Sequence, residues 1–381
     1  MLYCHWKYYI CMYSKDSIKK ERKPMSLWND YLARKLIFES HPTIDQDRCL
    51  NRMQTRHPCR SCMDVCPAGV ISMPFAGSMK ADWDSCSGCG LCVSACPSRA
   101  VSPARIQAER LFSYASRLQH DTIISCKSGL SSDIATEYPG ALNWEFLCFL
   151  ALHGIVTIIT GDCAGCEKSS CRKSLEKNLS QAKIFLGEEL YSQRVILTQD
   201  PSVVPARRYT RREALSLLMT KTGRTASALL PLPQESVPDG TLWRQILLHK
   251  VKQLSKDTAE AGQSPSGSGF FWMLPHFEKN CTACGICTRI CPAGALLRAP
   301  GPEGSGRYYM ALLPHKCTGC GLCSRVCPEQ ALAAPSPLEL SEPDRPLLTA
   351  IAAKPCIRCK EPVPLDSGSD LCARCRGELS I

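Results

Sequence analysis

The sequence from Cys281 to Pro328 reads Cys281-Thr-Ala-Cys284-Gly-Ile-Cys287-Thr-Arg-Ile-Cys291-Pro292, then about two dozen residues, then Cys317-Thr-Gly-Cys320-Gly-Leu-Cys323-Ser-Arg-Val-Cys327-Pro328. Each half repeats the spacing C-x2-C-x2-C-x3-C-P. Three thiols spaced in this way can wrap one compact anionic metal cluster, because a tight loop turns their side chains inward. Gly285 and Gly321 let the backbone approach without a Cβ, and each proline fixes the chain after the fourth cysteine. A disulfide set or a zinc knuckle is disfavoured, since a zinc knuckle uses two close pairs of ligands.

These runs resemble those of bacterial two-cluster ferredoxins, in which the fourth cysteine of each run ligates the other 4Fe-4S cluster. The resemblance implies a small antiparallel hairpin packed on two short helices beside the clusters. Strand-like segments at Ala295–Arg298 and Arg307–Leu313 fit the two arms of that hairpin. The implied ligand sets are Cys281, Cys284, Cys287 and Cys327 for one cluster and Cys317, Cys320, Cys323 and Cys291 for the other.

A second copy of the pattern precedes the first in the chain. Its second run is complete: Cys86-Ser-Gly-Cys89-Gly-Leu-Cys92-Val-Ser-Ala-Cys96-Pro97. Its first run is irregular, because nine residues separate Cys49 from Cys59-Arg-Ser-Cys62-Met-Asp-Val-Cys66-Pro67. Lengthening a loop by a few residues adds only a fraction of a kcal/mol of closure entropy, so Cys49 can still be a ligand. The alternative is a site with three ligands and a more labile or 3Fe cluster.

The resemblance therefore implies two further 4Fe-4S clusters in this earlier copy. Segments Val70–Met73 and Met79–Trp83 predict its hairpin. The implied ligands are Cys49, Cys59, Cys62 and Cys96 for one cluster and Cys86, Cys89, Cys92 and Cys66 for the other. Two such units form an internal repeat, which favours a chain of several clusters over a single centre.

The region between the two copies has a different pattern. Short β-branched strands at Thr122–Ser125, Ile155–Thr160 and Arg194–Thr198 alternate with helical segments. This alternation predicts an α/β unit with a parallel sheet. Sites in such sheets form at the carboxyl ends of strands, where Cys126 and Cys163 stand.

Four cysteines of this region could therefore converge on one metal: Cys126, Cys163, Cys166 and Cys171. The Gly-Asp-Cys loop after the second strand resembles the small iron-sulfur (delta) subunit of methyl-viologen-reducing hydrogenases, which implies a small cluster here. The other interpretation is that Cys126 and Cys148 are buried thiols, which are common in protein cores.

The tail contains Cys356-Ile-Arg-Cys359, twelve residues, and Cys372-Ala-Arg-Cys375. Two C-x2-C pairs at this separation predict a Cys4 zinc ribbon. A rubredoxin-like iron site and unligated cysteines are the alternatives. A bound ion would fold about 25 residues that have almost no apolar core of their own.

The 27 cysteines among 381 residues are the compositional outlier. No secretory signal is evident, so we expect reduced thiols in a cytoplasmic protein. The longest apolar run, Leu142–Thr160, is interrupted by polar residues and predicts no membrane span. The formal charge of +11 treats every cysteine as neutral. Five metal sites at about −2 each would offset most of it, so we expect no nucleic-acid partner.

The predicted fold class is α+β, with two ferredoxin-like dicluster domains flanking an α/β domain and a small Cys4 zinc-ribbon tail. A capping box at Thr210 predicts a helix, and segments rich in Pro, Gly and Ser predict linkers. A flexible linker would let the second dicluster unit swing relative to the first, or dock only with a partner. A translation start at Met25 is an alternative to Met1. The predicted domains are 1–24, a disordered extension; 25–103, dicluster; 104–222, α/β; 223–268, helix and linker; 269–340, dicluster; and 350–381, zinc ribbon.

Together these patterns predict a polyferredoxin that relays electrons between redox protein partners, as a component of an anaerobic oxidoreductase complex. Its predicted cofactors are four 4Fe-4S clusters, a zinc ion and, if the middle cysteines bind iron, one further cluster. The rival interpretation is a disulfide or sulfur-compound reductase that uses the middle cysteines. No G-x-G-x-x-G stretch, catalytic triad or carboxylate pair supports the rival. Association with a membrane complex stays open.

Overall fold

The computed structural model describes most of the chain from His41 onward. The described residues are 41–53, 58–75, 78–118, 121–126, 132–163, 165–166, 168–203, 241–260, 270–302, 305–340, 342–372 and 374–377. The predicted extension at 1–24, the start at Met25 and the helix after Thr210 lie outside these residues. So do most of the predicted linkers.

The first cysteine repeat folds into short helices and a hairpin. Its helices are α1 (Leu50–Met53), α2 (Ser61–Asp64) and α3 (Leu91–Ala95), and its strands are β1 (Thr43–Ile44), β2 (Ile71–Phe75), β3 (Ser78–Ala81) and β4 (Val101–Ser102). Strands β2 and β3 pair antiparallel, which confirms the predicted hairpin. Ile71 and Met79 are buried against the cysteines, because alternate strand residues face the same side. Strands β1 and β4 pair and join the two ends of the unit.

The middle region forms a parallel sheet in the order β6-β5-β7-β8. The strands are β5 (Thr122–Ser125), β6 (Ile134–Ala135), β7 (Val156–Ile159) and β8 (Val195–Thr198), and the helices are α4 (Arg105–Ala115), α5 (Trp144–Ala151), α6 (Ser169–Leu186) and α7 (Glu188–Arg194). Every residue of β5 and β7 is buried, as expected of central strands covered on both faces. Asn143 caps α5 by accepting a hydrogen bond from the Phe146 N–H. The predicted parallel α/β pattern is confirmed.

The second cysteine repeat repeats the hairpin and gains strands from the tail. Its elements are α8 (Leu242–Glu260), β9 (Phe270–Leu274), α9 (Ile286–Ile290), β10 (Leu296–Pro300), β11 (Arg307–Leu312), α10 (Leu322–Arg325), β12 (Ser336–Leu340), β13 (Leu347–Pro355) and β14 (Pro362–Pro364). The β10–β11 hairpin is confirmed, and β9 pairs with β12. Strand β13 then pairs with all of β11 through its residues 347–352, and β14 pairs with the end of β13. The tail is therefore a continuation of the hairpin sheet.

The second repeat packs directly on the α/β unit. The Phe185 ring of α6 stacks on Phe270 at 5.0 Å and meets the edge of Trp272 at 5.0 Å. Helix α8 packs on α5 through Trp243, whose ring lies 4.4 Å from that of Phe146. These residues belong to one continuous apolar core that spans both units. The expectation of a freely swinging second unit is therefore wrong, because aromatic side chains bury the surface between the units.

The mixed helix and strand content confirms the predicted fold class at this coarse level. None of the helices in the described part of the chain combines the length and apolar content that crossing a bilayer requires. The domain boundaries given above stay predictions.

Candidate metal centres

The fold of the second repeat brings its thiols together in two adjoining sets. Burial raises the pKa of the Cys287 thiol, and the Cys284, Cys281, Cys323 and Cys327 thiols raise it further. Like charges have this effect only within a few Å. Cys323 and Cys327 of the second run therefore both lie near the first run, and Cys327 is the one that the crossed assignment gives to this set.

The other set of this repeat shows the same crossing. Burial raises the pKa of Cys323 to about 12, with further contributions from Cys317, Cys320 and Cys291. Burial likewise raises the pKa of Cys317 to about 11. Cys291 comes from the first run and so completes the second set.

The first repeat also assembles two sets of four thiols. Burial raises the pKa of Cys62 to about 12, followed by the effects of Cys96, Cys59 and Cys49. The structure therefore places Cys49 with the set to which the sequence assigned it. The second set is shown by Cys92, whose pKa is raised by burial and then by neighbouring thiols. These neighbours are Cys89, Cys62, Cys66 and Cys86.

A buried asparagine, Asn51, ties Cys59 to the helix that follows Cys49. Asn51 is 2% exposed, and its side chain pairs twice with the Cys59 backbone. The Asn51 Nδ2 donates to the Cys59 carbonyl at 2.9 Å, and the Cys59 N–H donates to Asn51 Oδ1 at 2.6 Å. This double hydrogen bond ties helix α1, which follows Cys49, to the start of the next run. Sequence reasoning missed the residue, because a lone Asn after a cysteine carries no distinctive spacing.

The turn after each fourth cysteine has a common geometry. The third residue after the cysteine adopts a left-handed backbone conformation in all four copies, with φ of 63° at Gly69, 59° at Arg99, 58° at Gly294 and 50° at Gln330. This conformation directs the next N–H at the sulfur in three copies. The donors are Ala100 to Cys96 (3.2 Å), Ala295 to Cys291 (3.3 Å) and Ala331 to Cys327 (3.2 Å). Such hydrogen bonds to sulfur help to set the reduction potential of an iron-sulfur cluster.

The chemistry of these four sets fits a 4Fe-4S cluster. All their cysteines are free thiols. Each set brings four thiols close together, and four thiolates repel one another strongly unless a cationic metal core lies between them. Among the described residues, these sets are also too wide for a single ion, since no three of their sulfurs lie within 4.8 Å of one another. A tetrahedral ion with metal–sulfur bonds of about 2.3 Å needs sulfurs closer than that.

The middle cysteines also converge. Cys126 follows β5, Cys163 follows β7 and Cys171 lies in the first turn of α6. Burial raises the pKa of the Cys171 thiol, and the Cys126, Cys163 and Cys166 thiols raise it further. The fifth cysteine of the region, Cys148, packs elsewhere, because it is fully buried and its thiol faces the Ala182 carbonyl. The structure thus brings together the four predicted residues and leaves Cys148 as a core thiol.

Backbone donors surround this middle set. The Gly161 N–H donates to Cys126 Sγ at 3.1 Å, and the Gly140 N–H donates to Cys171 Sγ at 3.4 Å. The carbonyl of Gly140 accepts hydrogen bonds from Ser94 Oγ at 2.8 Å and from Asn178 Nδ2 at 3.0 Å. Because Ser94 lies in α3 between two cysteines of the first repeat, a single residue, Gly140, connects the middle set to that repeat.

The four tail cysteines have a tighter geometry than the other sets. The sulfurs of Cys356, Cys359, Cys372 and Cys375 all lie within 4.8 Å of one another. Burial opposes ionisation of Cys356, but N–H groups of Cys372, Cys359 and Arg358 donate to its sulfur and lower its pKa to about 6. A thiol that ionises near neutral pH is a ready metal ligand. This geometry suits one tetrahedral ion.

Comparisons with known proteins agree with the two cysteine repeats. Residues 56–100 and 280–331 match the 4Fe-4S dicluster domain family. The chain is 33% identical over 64 residues to the pyruvate synthase subunit PorD of Methanocaldococcus jannaschii and to that of Methanothermobacter marburgensis. These matches cover 17% of this chain and 66% and 65% of the relatives, just under two thirds of their length. The ferredoxin-type protein NapF of Haemophilus influenzae is 39% identical over 51 residues, 12% of this chain and 29% of that protein.

The two domain matches coincide with the two cysteine repeats. The chain therefore carries two regions that match the 4Fe-4S dicluster domain, at residues 56–100 and 280–331.

Sequence reasoning missed three charged residues that join the units. Arg99, Glu145 and Arg244 are 6%, 1% and 5% exposed and lie together where the first repeat, the α/β unit and helix α8 meet. A signal was present, because Glu145 and Arg244 each interrupt an otherwise apolar helical face.

Proposed function

We propose that this protein relays single electrons through four 4Fe-4S clusters between redox protein partners, as a component of an anaerobic, cytoplasmic oxidoreductase complex. One observation carries the proposal: in each repeat, thiols from both cysteine runs lie close enough to act on one another. The clusters would supply one-electron redox chemistry when bound. Their ligands would be those assigned from the sequence.

The residues of this chain would hold the clusters and keep water from them. The crossed cysteines keep the two sets of a repeat adjacent, as the effect of Cys323 on Cys287 shows. In the second repeat the sets also face an apolar core that includes Ala283, Leu296 and Met310. Low solvent access and N–H groups aimed at sulfur are the means by which proteins tune such clusters.

The relatives suggest what kind of partner to expect. Two of them are by name subunits of pyruvate synthase, and the third is by name a ferredoxin-type protein. By analogy we propose that this chain works with a separate enzyme subunit, which binds a substrate and oxidises or reduces it. The chain itself would then pass electrons and carry no substrate site.

We further propose that the tail cysteines hold zinc and that the middle cysteines hold a fifth cluster. Zinc would be structural, because the tail core consists of little more than Cys356, Val363 and Cys372. The fifth cluster is favoured by the convergence of three other thiols, those of Cys126, Cys163 and Cys166, on Cys171. Cys166 of this set is exposed and therefore accessible to a disulfide substrate, so a reductase is the second candidate function for this site.

Anaerobic reductive titration tests the proposal. Protein loaded with iron and titrated with a low-potential reductant should take up about one electron per cubane, hence about four per chain, or five with the middle cluster. The reduced protein should return these electrons to a one-electron dye. Uptake of fewer than two electrons by iron-replete protein would contradict a relay. Multiple turnovers on a disulfide substrate, lost in Cys166→Ser, would instead favour the reductase.

A further inference from the structure

Three ionisable side chains lie buried where the units meet. The Arg99 Nη2 lies 2.5 Å from both carboxylate oxygens of Glu145. The Arg244 Nη1 lies 3.9 Å from Glu145 Oε1. The cluster thus contains two cations and one anion, and it leaves one positive charge inside the protein without a carboxylate of its own.

A buried charge of this kind is strongly disfavoured unless other groups compensate it. The neutral surroundings supply part of the compensation. The Arg244 Nη2 donates to the Pro314 carbonyl at 2.9 Å and its Nε donates to the His315 carbonyl at 3.2 Å. The guanidinium also lies 4.9 Å from the centre of the Trp272 ring. The two carbonyl groups and the Trp272 ring carry no net charge. The net positive charge of Arg99, Glu145 and Arg244 therefore remains.

The two arginines lie next to cysteines of different repeats. Arg99 follows the crossing ligand Cys96 by three residues. Arg244 reaches the backbone just before Cys317, and its charge acts on that thiol against the effect of burial. The backbone at Arg99 and the charge of Arg244 are thus each near one set of ligands, and Glu145 joins the two arginines. Among the described residues, Glu145 is the one carboxylate that pairs with either arginine, so an anionic cluster in each set would supply the compensating charge.

The backbone at Arg99 has φ of 59°, the left-handed conformation found at the same place in all four turns. Glycine fills this place at Gly69 and Gly294, and Gln330 fills it in the fourth turn. A side chain at such a position costs about 1–2 kcal/mol relative to glycine. At Arg99 the side chain that carries this strain also makes the buried ion pair with Glu145.

We propose that Arg99, Glu145 and Arg244 form an electrostatic bridge between the two dicluster domains that raises the reduction potentials of the clusters held by Cys96 and by Cys317. The inference rests on the proposed function. The physical reason is that reduction adds a negative charge to a cluster, and a buried net positive charge favours that form. The bridge would also fix the units at the point where electrons pass between them.

The test is a potentiometric titration followed by EPR, with three variants of the full-length protein. Arg244→Gln removes the charge but keeps amide N–H donors, and it should lower the potential of the cluster held by Cys317. Glu145→Gln removes the negative charge and should raise the potentials of both clusters. Arg244→Lys keeps the charge and should stay close to wild type. For Arg244→Gln and for Glu145→Gln we expect the ratio of reduced to oxidised cluster, at a fixed applied potential, to change at least tenfold. A tenfold change corresponds to 59 mV in the reduction potential of a one-electron couple.

The exposed helix pair Arg105–Glu109 supplies the control, because Arg105 is 49% exposed. Arg105→Gln should leave every potential unchanged. Opposite signs for Arg244→Gln and Glu145→Gln distinguish an electrostatic effect from simple loss of packing, which moves both in one direction. If Glu145→Gln fails to fold, a potential that falls in Arg244→Gln and returns to wild type in Arg244→Lys supports the bridge, and an equal fall in both overturns it. If Arg244→Gln fails to fold, a raised potential in Glu145→Gln supports the bridge, and an unchanged or lowered one overturns it. Equal potentials in iron-replete variants would overturn the bridge alone, whereas iron-free wild-type protein would overturn the proposed function.

Discussion

Replacing Phe185 by alanine should weaken the packing of the second dicluster domain on the α/β domain. The side chain is 1% exposed and contacts three aromatic rings, those of Trp144, Phe270 and Trp272, at 5.5, 5.0 and 5.0 Å between centroids. Truncation of a buried Phe to Ala typically costs about 3–5 kcal/mol, because it removes apolar contact and leaves a cavity. At about 2 °C per kcal/mol, the lower value for larger domains, the thermal midpoint should fall by roughly 6–10 °C.

The assay is thermal loss of the iron-sulfur absorption band under anaerobic conditions at one fixed scan rate. A fixed rate is needed because proteins that hold metal clusters rarely unfold reversibly. Phe185→Leu keeps apolar volume and loses only the ring contacts, so its midpoint should fall by less. Leu197→Ala is the control, since Leu197 is 51% exposed and should change stability by about 0.5 kcal/mol or less. A midpoint for Phe185→Ala equal to that of the control would refute the packed arrangement.

Three more substitutions test the smaller sites. Cys171→Ser should remove about two to four iron atoms per chain, the content of one small cluster. The control, Cys148→Ser, should leave the iron content unchanged. Equal iron in both variants, measured by metal analysis, would disprove a cluster at the middle site. In Gly140→Ala the added Cβ would overlap the carbonyl oxygen of Cys171. The variant should therefore destabilise the protein by about 1–3 kcal/mol and lower the iron content of the middle site. An unchanged thermal midpoint together with full iron content would disprove this close contact. Cys359→Ser should release zinc while the iron of the dicluster domains stays, and parallel loss of both metals would show that the tail is no separate site.

The parts that the sequence predicted are those set by local spacing. A C-x2-C-x2-C loop can close in few ways, so the thiols of each run were assignable before any fold was known. Cys49 shows the limit of this rule. Its distance from Cys59 left two possibilities open, a fourth ligand or a site with three ligands, and the Asn51 hydrogen bonds that tie Cys59 to the helix after Cys49 could not be read from the spacing.

The parts that the sequence did not predict depend on contacts distant in the chain. Strand β13 pairs with β11, which lies about 40 residues earlier, and nothing in Leu347–Pro355 specifies that partner or its register. The packing of Phe185 on Phe270 likewise joins residues from separate domains. Glu145 was visible as a charge in an apolar helix, but its partners Arg99 and Arg244 could not be identified without the fold.

The most direct test of the account is the iron, sulfide and zinc content of protein purified without oxygen. Four cubanes and a zinc ribbon predict about sixteen iron atoms, a matching amount of acid-labile sulfide and about one zinc per chain, and a fifth cluster raises iron to about eighteen to twenty. A folded, colourless protein with fewer than about eight iron atoms per chain would contradict the assignment of paired clusters to both repeats.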